Sequence, residues 1–324
     1  MRLHSLDSLK LIAAFFIVVV HSGTFPEFGY LGGGLFENCT RWALPFFFLT
    51  SGYMIGNTQK INVGKRINKL ISILFWISII YLPIILLKSI ILNDSFFQRV
   101  VNLQTFFGGV YFHLWFIISL IIATLFVNYF VTNLSSSFSL IICVCLLFLC
   151  WISDLLRSCD IGDDEFYLFR MLMGTALVYV GYFLASKNII INLKKELSFY
   201  IIFFGFVLIL LESSLLFHFF DSKIHERQFP LGSVLIAFGF LIYGVSYNNE
   251  DGGIISKCGE KYSLGIYLLH PFILTFTSEL FKRIHMSYST PNLLIAFFGA
   301  LAIVFLIDRY FPWLYNRING INVH

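Results

Sequence analysis

The chain has 324 residues, of which 58% are hydrophobic, 19% aromatic and only 12% charged, and its formal net charge is +4 at pH 7. A soluble globular domain has about 25% charged residues, so this chain has roughly half the charge that a water-exposed surface requires. Its mean hydropathy of +0.83 and its long apolar runs are typical of segments that cross a lipid bilayer. The composition excludes a soluble enzyme, a nucleic-acid-binding protein and a disordered regulator, and it indicates a polytopic membrane protein.

Apolar windows bounded by polar residues, glycine or proline predict about ten transmembrane segments. Each must be helical, because a bilayer offers no water to satisfy open backbone hydrogen bonds. We therefore expect an all-α protein with a single transmembrane domain over residues 1–324, and a retained first helix rather than a cleaved signal peptide. The predicted spans are residues 7–25, 41–58, 70–92, 112–132, 138–156, 167–186, 199–220, 230–247, 263–281 and 291–311.

Basic residues predict the orientation of these spans, because Lys and Arg are enriched in cytoplasmic loops. The segment from Lys60 to Lys69 follows the second span and contains four basic and no acidic residues. The loop at 157–166 lies on the other side and contains four acidic residues and one arginine. We expect both termini on the cytoplasmic side.

The first predicted helix carries a charge at a depth where insertion costs about 2.5–3.5 kcal/mol. Lys10 and His21 are eleven residues apart, close to three full helical turns, so they share one face about 16 Å apart along the axis. Asp7 precedes Lys10 by three residues and can pair with it. Two interpretations remain open: these residues are interfacial anchors and a helix end, or their face leads to a functional site.

The second and fourth spans contain further polar residues. Arg41 lies at the outer edge of the second span, and Ser51 lies at depth between Thr50 and a glycine. Close helix packing is an alternative explanation for Ser51, which does not lie in a nucleophile elbow. His113 lies near the outer boundary of the fourth span, where the neighbouring Trp115 fits an aromatic belt at the membrane surface.

The sixth and ninth spans contain an arginine and a histidine. Arg170 lies in the outer third of the sixth span, where we expect it to face a cavity rather than lipid. His270 is followed by Pro271, whose missing N–H frees a carbonyl one turn earlier. His270 is therefore a candidate site residue, or it satisfies this local defect or a neighbouring helix.

Several segments together resemble the acyltransferase-3 family of integral membrane acyltransferases. LDSLKLIAAFFIVVVH (Leu6–His21) is similar to the family's first-helix pattern of a basic residue, ten residues and a histidine, with Lys10 where arginine is usual. Further matches are RWALPFFFLTSGY (Arg41–Tyr53), HLWF (His113–Phe116) and SLGIYLLH (Ser263–His270). Their order and spacing cover nearly the whole chain, which looks most like short, single-domain members of the enterobacterial common antigen O-acetyltransferase type.

The resemblance implies transfer of an acyl group, usually acetyl, from cytoplasmic acyl-CoA to a hydroxyl of an extracytoplasmic glycan or glycolipid, at a bacterial cytoplasmic (inner) membrane. Acyl-CoA would be a donor substrate, with no tightly bound cofactor or metal and no nucleic-acid partner. His21 takes the catalytic position. The expected donor-side residues are Lys10, Lys65, Arg66 and Ser51. The expected residues of the oxyanion or acceptor side are Arg41, His113, Arg170 and His270.

Three questions stay open at the level of sequence. His21 suits either a general base or an acyl carrier. Lysine offers a point charge rather than arginine's planar two-point contact, so acyl groups other than acetyl, such as succinyl, are compatible with Lys10. The alternative function is a transporter or flippase that moves a polar solute or glycolipid through the same cavity, although the sequence has no internal repeat of the kind many transporters show.

Overall fold

The computed structural model of the protein describes residues 2–58, 61–102, 105, 108–161, 165–247, 252–285 and 288–321. Within these ranges the chain forms helices, short loops and three 3₁₀ turns, and no β-strand, so the predicted all-α fold is confirmed. The helices are α1 (His4–His21), α2 (Gly29–Thr40), α3 (Ala43–Gly56), α4 (Val63–Leu92), α5 (Phe96–Val100), α6 (Trp115–Asn133), α7 (Ser136–Ser158), α8 (Glu165–Ser186), α9 (Leu197–Phe220), α10 (Leu231–Ser246), α11 (Ile254–Arg283), α12 (Ser289–Tyr310) and α13 (Pro312–Ile318).

Ten of the described helices overlap the ten predicted spans, one helix for each span. In the described part of the chain, eight helices are long and apolar enough to cross a membrane, and α10, with 16 residues, is a shorter apolar helix. Helix α3 has 14 residues, fewer than the roughly 20 that a straight crossing of the bilayer core needs. Helices α2, α5 and α13 lie outside the predicted spans.

Helix α3 lies close against α8, and glycine permits this approach. A Cβ atom built on Gly52 would lie 2.0 Å from the carbonyl oxygen of Val178, and one on Gly181 would lie 2.1 Å from that of Leu49. Both distances are far below van der Waals contact, so only glycine lets the two backbones meet here. Gly52 therefore serves the packing of α3 on α8.

We predict that Gly52→Ala destabilises the protein by about 1–3 kcal/mol, because the added methyl group forces α3 and α8 apart. The matched control is Gly64→Ala in the first turn of α4, where an added Cβ meets no atom within 4 Å. Thermal unfolding in detergent measures both variants. Equal melting temperatures for the two variants would contradict the tight α3–α8 contact.

Helix α1 lies inside the bundle, where it contacts α3, α10 and α11. Its side chains Ala13, Ala14 and Val18 are completely buried, which leaves its two ends as the places where polar groups collect. The carboxyl end of α1 meets the amino ends of α3, α6 and α8 around a common cavity. Basic residues gather near the amino end of α1, at the other end of the helix from this cavity.

Candidate active site

The cavity at the carboxyl end of α1 contains about 640 Å³ of space not filled by protein atoms, its open mouth included. His21, the last residue of α1, is exposed on its wall. Four predicted site residues from four different helices or their ends share this wall: His21, Arg41, His113 and Arg170. These four residues are far apart in the sequence, and only the folded structure brings them together.

The ring of His21 is held by stacking and is otherwise open. It stacks on the ring of His270 with a centroid distance of 5.4 Å and an interplanar angle of 22°, and it meets Phe112 edge-on at 5.2 Å. No described side chain forms a hydrogen bond with the His21 ring. A second opening, which Lys88 and Thr275 also line, reaches His21 from another side. The imidazole is therefore oriented by its neighbours while its nitrogens remain available to a ligand.

The loop after α1 is fastened to the amino end of α12, and this fixes the position of His21. The Asn292 side chain donates a hydrogen bond of 3.1 Å to the carbonyl oxygen of Ser22, the residue after His21. Farther along, a carboxylate oxygen of Glu27 accepts a hydrogen bond of 2.8 Å from the backbone N–H of Thr290. Burial raises the pKa of Glu27, but hydrogen bonds, led by that of the Thr290 hydroxyl, hold it below its ordinary value.

Two arginines give the cavity its positive charge. Arg170 lies with its guanidinium carbon 4.1 Å from the ring centroid of Trp115, and its Nη1 donates a 3.1 Å hydrogen bond to Gln228. The Nε of Arg41 is buried and has no hydrogen-bond partner among the described residues, whose ion pairs do not include Arg41. The carboxylates of Glu37 and Asp154 attract Arg41 without forming a salt bridge to it. A guanidinium without a direct carboxylate contact favours an anionic ligand or a negative charge that develops during a reaction.

His113 and His270 both face backbone carbonyls of α11. The Nε2 of His113 lies 3.2 Å from the carbonyl oxygen of Leu268, and the Nδ1 of His270 lies 3.1 Å from that of Ile266. His113 lines the cavity. His270 is completely buried and is not among the residues that line it, so it supports the His21 ring from behind.

His270 lies beside the gap in backbone hydrogen bonding that Pro271 leaves in α11. Pro271 has no N–H, which leaves the carbonyl of Tyr267 without its usual partner one turn earlier. The Nδ1 of His270 lies 3.1 Å from the carbonyl oxygen of Ile266, and the ring also interacts with the backbone of Tyr267. The ring of His270 therefore binds the turn of helix that Pro271 interrupts, while its stacking on His21 keeps it next to the cavity.

Sequence analysis missed a buried ion network behind the cavity. Asp154 and Glu212 lie inside two predicted spans, and Arg227 lies between them with a side chain only 1% exposed. Arg227 bonds to Glu212, and its Nη1 lies 3.0 Å from Asp154. Asp154 also accepts hydrogen bonds from the backbone N–H groups of Gln228, at 3.0 Å, and Phe229, at 2.9 Å. Because Gln228 and Phe229 line the cavity, this network shapes its wall.

The predicted donor-side residues lie away from the cavity. Lys10 pairs with Asp7 at 3.0 Å, which confirms the predicted pairing. The guanidinium of Arg66 donates hydrogen bonds to the hydroxyls of Ser51 and, at 3.1 Å, Thr124. No ion pair between described residues includes Arg66, so its charge is oriented by neutral groups and is not cancelled by a carboxylate.

Two further basic residues belong to the same segment. The backbone N–H of Lys65 donates to Asn62, the N-cap of α4, at 3.0 Å, and its side chain is exposed. Lys60, the first residue of the basic segment, lies outside the described residues. The structure thus joins Ser51 to Arg66 directly, whereas Lys10 is held by Asp7.

Two curated bacterial racemases are similar to most of this chain. An amino-acid racemase of Enterococcus faecalis is 22% identical over 314 residues, which cover 87% of this chain and 42% of that protein. A serine/alanine racemase of Enterococcus gallinarum is 24% identical over 318 residues, which cover 88% of this chain and 43% of that protein. The chain thus spans less than half the length of these curated relatives, and no solved structure matches it.

The acyltransferase domain that defines the acyltransferase-3 family matches residues 3–309. This match includes the helix that carries Lys10 and His21 and every helix that contributes to the cavity. The chain belongs to the acyltransferase-3 family of membrane acyltransferases.

Proposed function

We propose that the protein transfers an acyl group, acetyl in the simplest case, from cytoplasmic acyl-CoA to a hydroxyl of an extracytoplasmic glycan or glycolipid. The observation that carries this proposal is the unobstructed ring of His21 on a cavity wall shared with Arg41 and Arg170. An imidazole can take up a proton or an acyl group near neutral pH. A nearby guanidinium can stabilise the oxyanion that forms when the thioester carbonyl is attacked.

The donor side of the proposal rests on Arg66 and its neighbours. CoA carries several phosphate charges, and arginine binds phosphate through charge-assisted hydrogen bonds. Ser51 and Thr124 orient the Arg66 guanidinium without neutralising it, which leaves a full charge for a phosphate. Lys10 and Lys65 add positive charge on the same side, and the chain of CoA would then extend along the Lys10–His21 face of α1.

The orientation in the membrane follows from the same proposal. With both termini in the cytoplasm, the basic segment that contains Lys65 and Arg66 faces the compartment that supplies acyl-CoA. The cavity with His21 then opens toward the extracytoplasmic side, where glycans are found. A bacterial cytoplasmic membrane and a glycan or glycolipid acceptor fit this arrangement.

His21 has two mechanistic roles open to it within this proposal. As a general base it would take the proton of the acceptor hydroxyl while that oxygen attacks the thioester directly. As an acyl carrier it would attack the thioester itself and pass the acyl group on in a second step. Both routes use the same cavity, and both lose their reactive group when His21 is replaced.

We predict that acetyl-CoA raises the melting temperature of the purified protein, and that Lys10→Glu reduces this shift more than Lys10→Arg does. A ligand that binds only the folded state adds about 2.7 kcal/mol at a hundredfold excess over its Kd. Glutamate at position 10 places a second negative charge beside Asp7, and this added charge repels phosphate. Arginine keeps the positive charge. Thermal unfolding across a series of acetyl-CoA concentrations measures the effect.

The matched control for this experiment is Lys282→Glu, in the last turn of α11, far along the chain from the basic segment. It makes the same charge change on an exposed lysine and is expected to leave the acetyl-CoA shift intact. Equal shifts for Lys10→Glu and Lys10→Arg would remove Lys10 from the donor site. No shift with any acyl-CoA would contradict the proposed reaction and favour transport, which solute-uptake assays would then test.

A further inference from the structure

The two ring nitrogens of His113 have different and fixed roles. The nitrogen 3.2 Å from the Leu268 carbonyl must carry the hydrogen, because a carbonyl oxygen can only accept. In the neutral ring the other nitrogen, Nδ1, then carries a lone pair. A ring turned by 180° would place a carbon atom where Nε2 lies and would lose the hydrogen bond to Leu268, so this bond supports the orientation of the ring.

The lone pair of His113 has no hydrogen donor within the described part of the protein. Its Nδ1 is buried and lacks a hydrogen-bond partner there, and the whole residue is only 1% exposed. Buried acceptors are almost always satisfied in folded proteins. Because His113 lines the cavity, a ligand that enters the cavity with a hydroxyl group can supply the missing donor.

His113 is also held firmly in place. The hydroxyl of Tyr267 donates to its backbone carbonyl, and its ring packs edge-on against Tyr81 at 5.3 Å and Tyr267 at 5.6 Å. A further bond from Tyr81 to the Leu268 carbonyl, 2.8 Å long, ties the same turn of α11 to α4. These contacts hold the ring of His113, and with it the direction of its lone pair, in a fixed orientation.

We infer that His113 is the base that takes the proton of the acceptor hydroxyl, while His21 carries the acyl group. This inference rests on the proposed acyl transfer and assigns the second half of that reaction. The only N–H of neutral His113 is committed to Leu268, so this residue is not available to donate to an oxyanion. That task falls to Arg41 and Arg170. His270 has a similar unpartnered nitrogen but is not among the residues that line the cavity.

The reaction balances in two steps. First, the free ring nitrogen of His21 attacks the thioester carbonyl, the carbon–sulfur bond breaks, and the ring proton leaves with the sulfur as CoA thiol. Second, the acceptor oxygen attacks the acyl-imidazole carbonyl while its proton passes to Nδ1 of His113. The carbon–nitrogen bond then breaks, and the proton moves from His113 to the departing His21 nitrogen. The Leu268 carbonyl stabilises the transient His113 cation through the existing hydrogen bond.

Two substitutions test the lone pair on Nδ1 of His113 separately from the hydrogen bond that the other ring nitrogen makes to Leu268. His113→Gln places an amide near Nε2 and keeps the donor to Leu268, but it removes the group at Nδ1. His113→Asn places an amide oxygen near Nδ1, where it accepts a hydrogen bond but cannot take a proton. The acetyl-CoA-dependent rise in melting temperature shows that each variant is folded and binds donor.

The experiment compares two acceptors in membrane vesicles supplied with radiolabelled acetyl-CoA. One is the glycan fraction already present in the vesicles. The other is hydroxylamine, a strong nucleophile that attacks acyl-imidazoles without a general base. We expect both His113 variants to transfer label to glycan about 10²- to 10⁴-fold more slowly than the natural protein. We expect their release of CoA thiol with hydroxylamine to stay near the natural rate.

The possible outcomes separate this inference from the proposed function. Natural rates of glycan labelling in either variant, or equal losses with glycan and hydroxylamine, would overturn the role of His113. In particular, an active His113→Asn variant would show that this position only orients the hydroxyl. If the natural protein releases no CoA thiol with either acceptor, the proposed acyl transfer itself fails.

Discussion

Replacing His21 with alanine is expected to lower acyl transfer to glycan by at least about 10²- to 10⁴-fold, the loss expected if His21 acts only as a base and a lower bound if it carries the acyl group. The reason is that the ring of His21 is the unobstructed imidazole on the cavity wall, and no described side chain holds its nitrogens in a hydrogen bond. Alanine removes the reactive group from an exposed helix end, so the fold is expected to survive. Label transferred from radiolabelled acetyl-CoA to the glycan fraction measures the loss.

Two controls make this result specific to His21. The acetyl-CoA-dependent rise in melting temperature should persist in His21→Ala, because the expected phosphate contacts lie at the other end of α1. His218→Ala changes an exposed histidine in the last turn of α9 and is expected to leave transfer unchanged. Transfer at the natural rate by His21→Ala would falsify the catalytic assignment.

Replacing Arg227 with methionine is expected to destabilise the protein by about 3–5 kcal/mol, the range found when one partner of a buried ion pair is removed. Methionine is similar in length but removes the cation that Asp154 and Glu212 share, which leaves Asp154 only the 3.4 Å ion pair with Arg157. Asp154 still accepts hydrogen bonds from the backbone N–H groups of Gln228 and Phe229 in this variant. A shift of Asp154 therefore also displaces this loop, which lines the cavity. Both melting temperature and acyl transfer should fall.

The matched control lies in the same loop. Lys223 pairs with Asp160 at 2.8 Å, but both side chains are exposed, and such surface pairs contribute little to stability. Lys223→Met is therefore expected to leave the melting temperature nearly unchanged. If Arg227→Met melts at the same temperature as Lys223→Met, the buried network does not stabilise the loop as described here.

Hydropathy located the spans well but not their ends. Helix α4 begins at Val63 rather than residue 70, and α11 begins at Ile254 rather than residue 263. The residues by which these two helices exceed the predicted spans include lysines and other polar residues, which lower the local mean hydropathy. The backbone hydrogen bonds of a helix do not require apolar side chains, and long lysines extend toward water at a membrane surface. The helix therefore continues after the apolar signal ends.

The helix α2 was not predicted because its sequence resembles a loop. It contains consecutive glycines, which disfavour helix formation by about 1 kcal/mol each relative to alanine. The structure shows why two of them are present: a Cβ on Gly33 would lie 2.4 Å from the Thr24 carbonyl, and one on Gly34 would lie 2.4 Å from Ile224. Tertiary packing thus overrides the local preference, and a single sequence does not reveal this.

The candidate site was largely predictable because charge at membrane depth is rare. Arg170 was singled out because it lies within a span, and Arg41 and His113 because they lie at the outer edges of spans. The structure brings all three to the same cavity as His21. The same principle would have found Asp154 and Glu212, which are acidic residues inside apolar spans. Their partner Arg227 lies in a loop, where an arginine is unremarkable in sequence.

The role of Trp115 needed the structure. An aromatic residue near the membrane surface fits an interfacial belt, as the sequence analysis expected. In the structure its ring lines the cavity and lies 4.1 Å from the guanidinium carbon of Arg170. This cation–π contact orients an arginine that faces the site. Sequence position alone does not distinguish a ring that faces lipid from one that faces a cavity.

The measurement that tests the central claim most directly is the ester-linked acyl content of extracytoplasmic glycans in the host cell. Three strains are compared: one without the protein, one that produces the natural chain and one that produces His21→Ala at equal abundance in the membrane. The account predicts glycan-linked acyl esters only in the strain with the natural chain. Equal ester content in all three strains would contradict it.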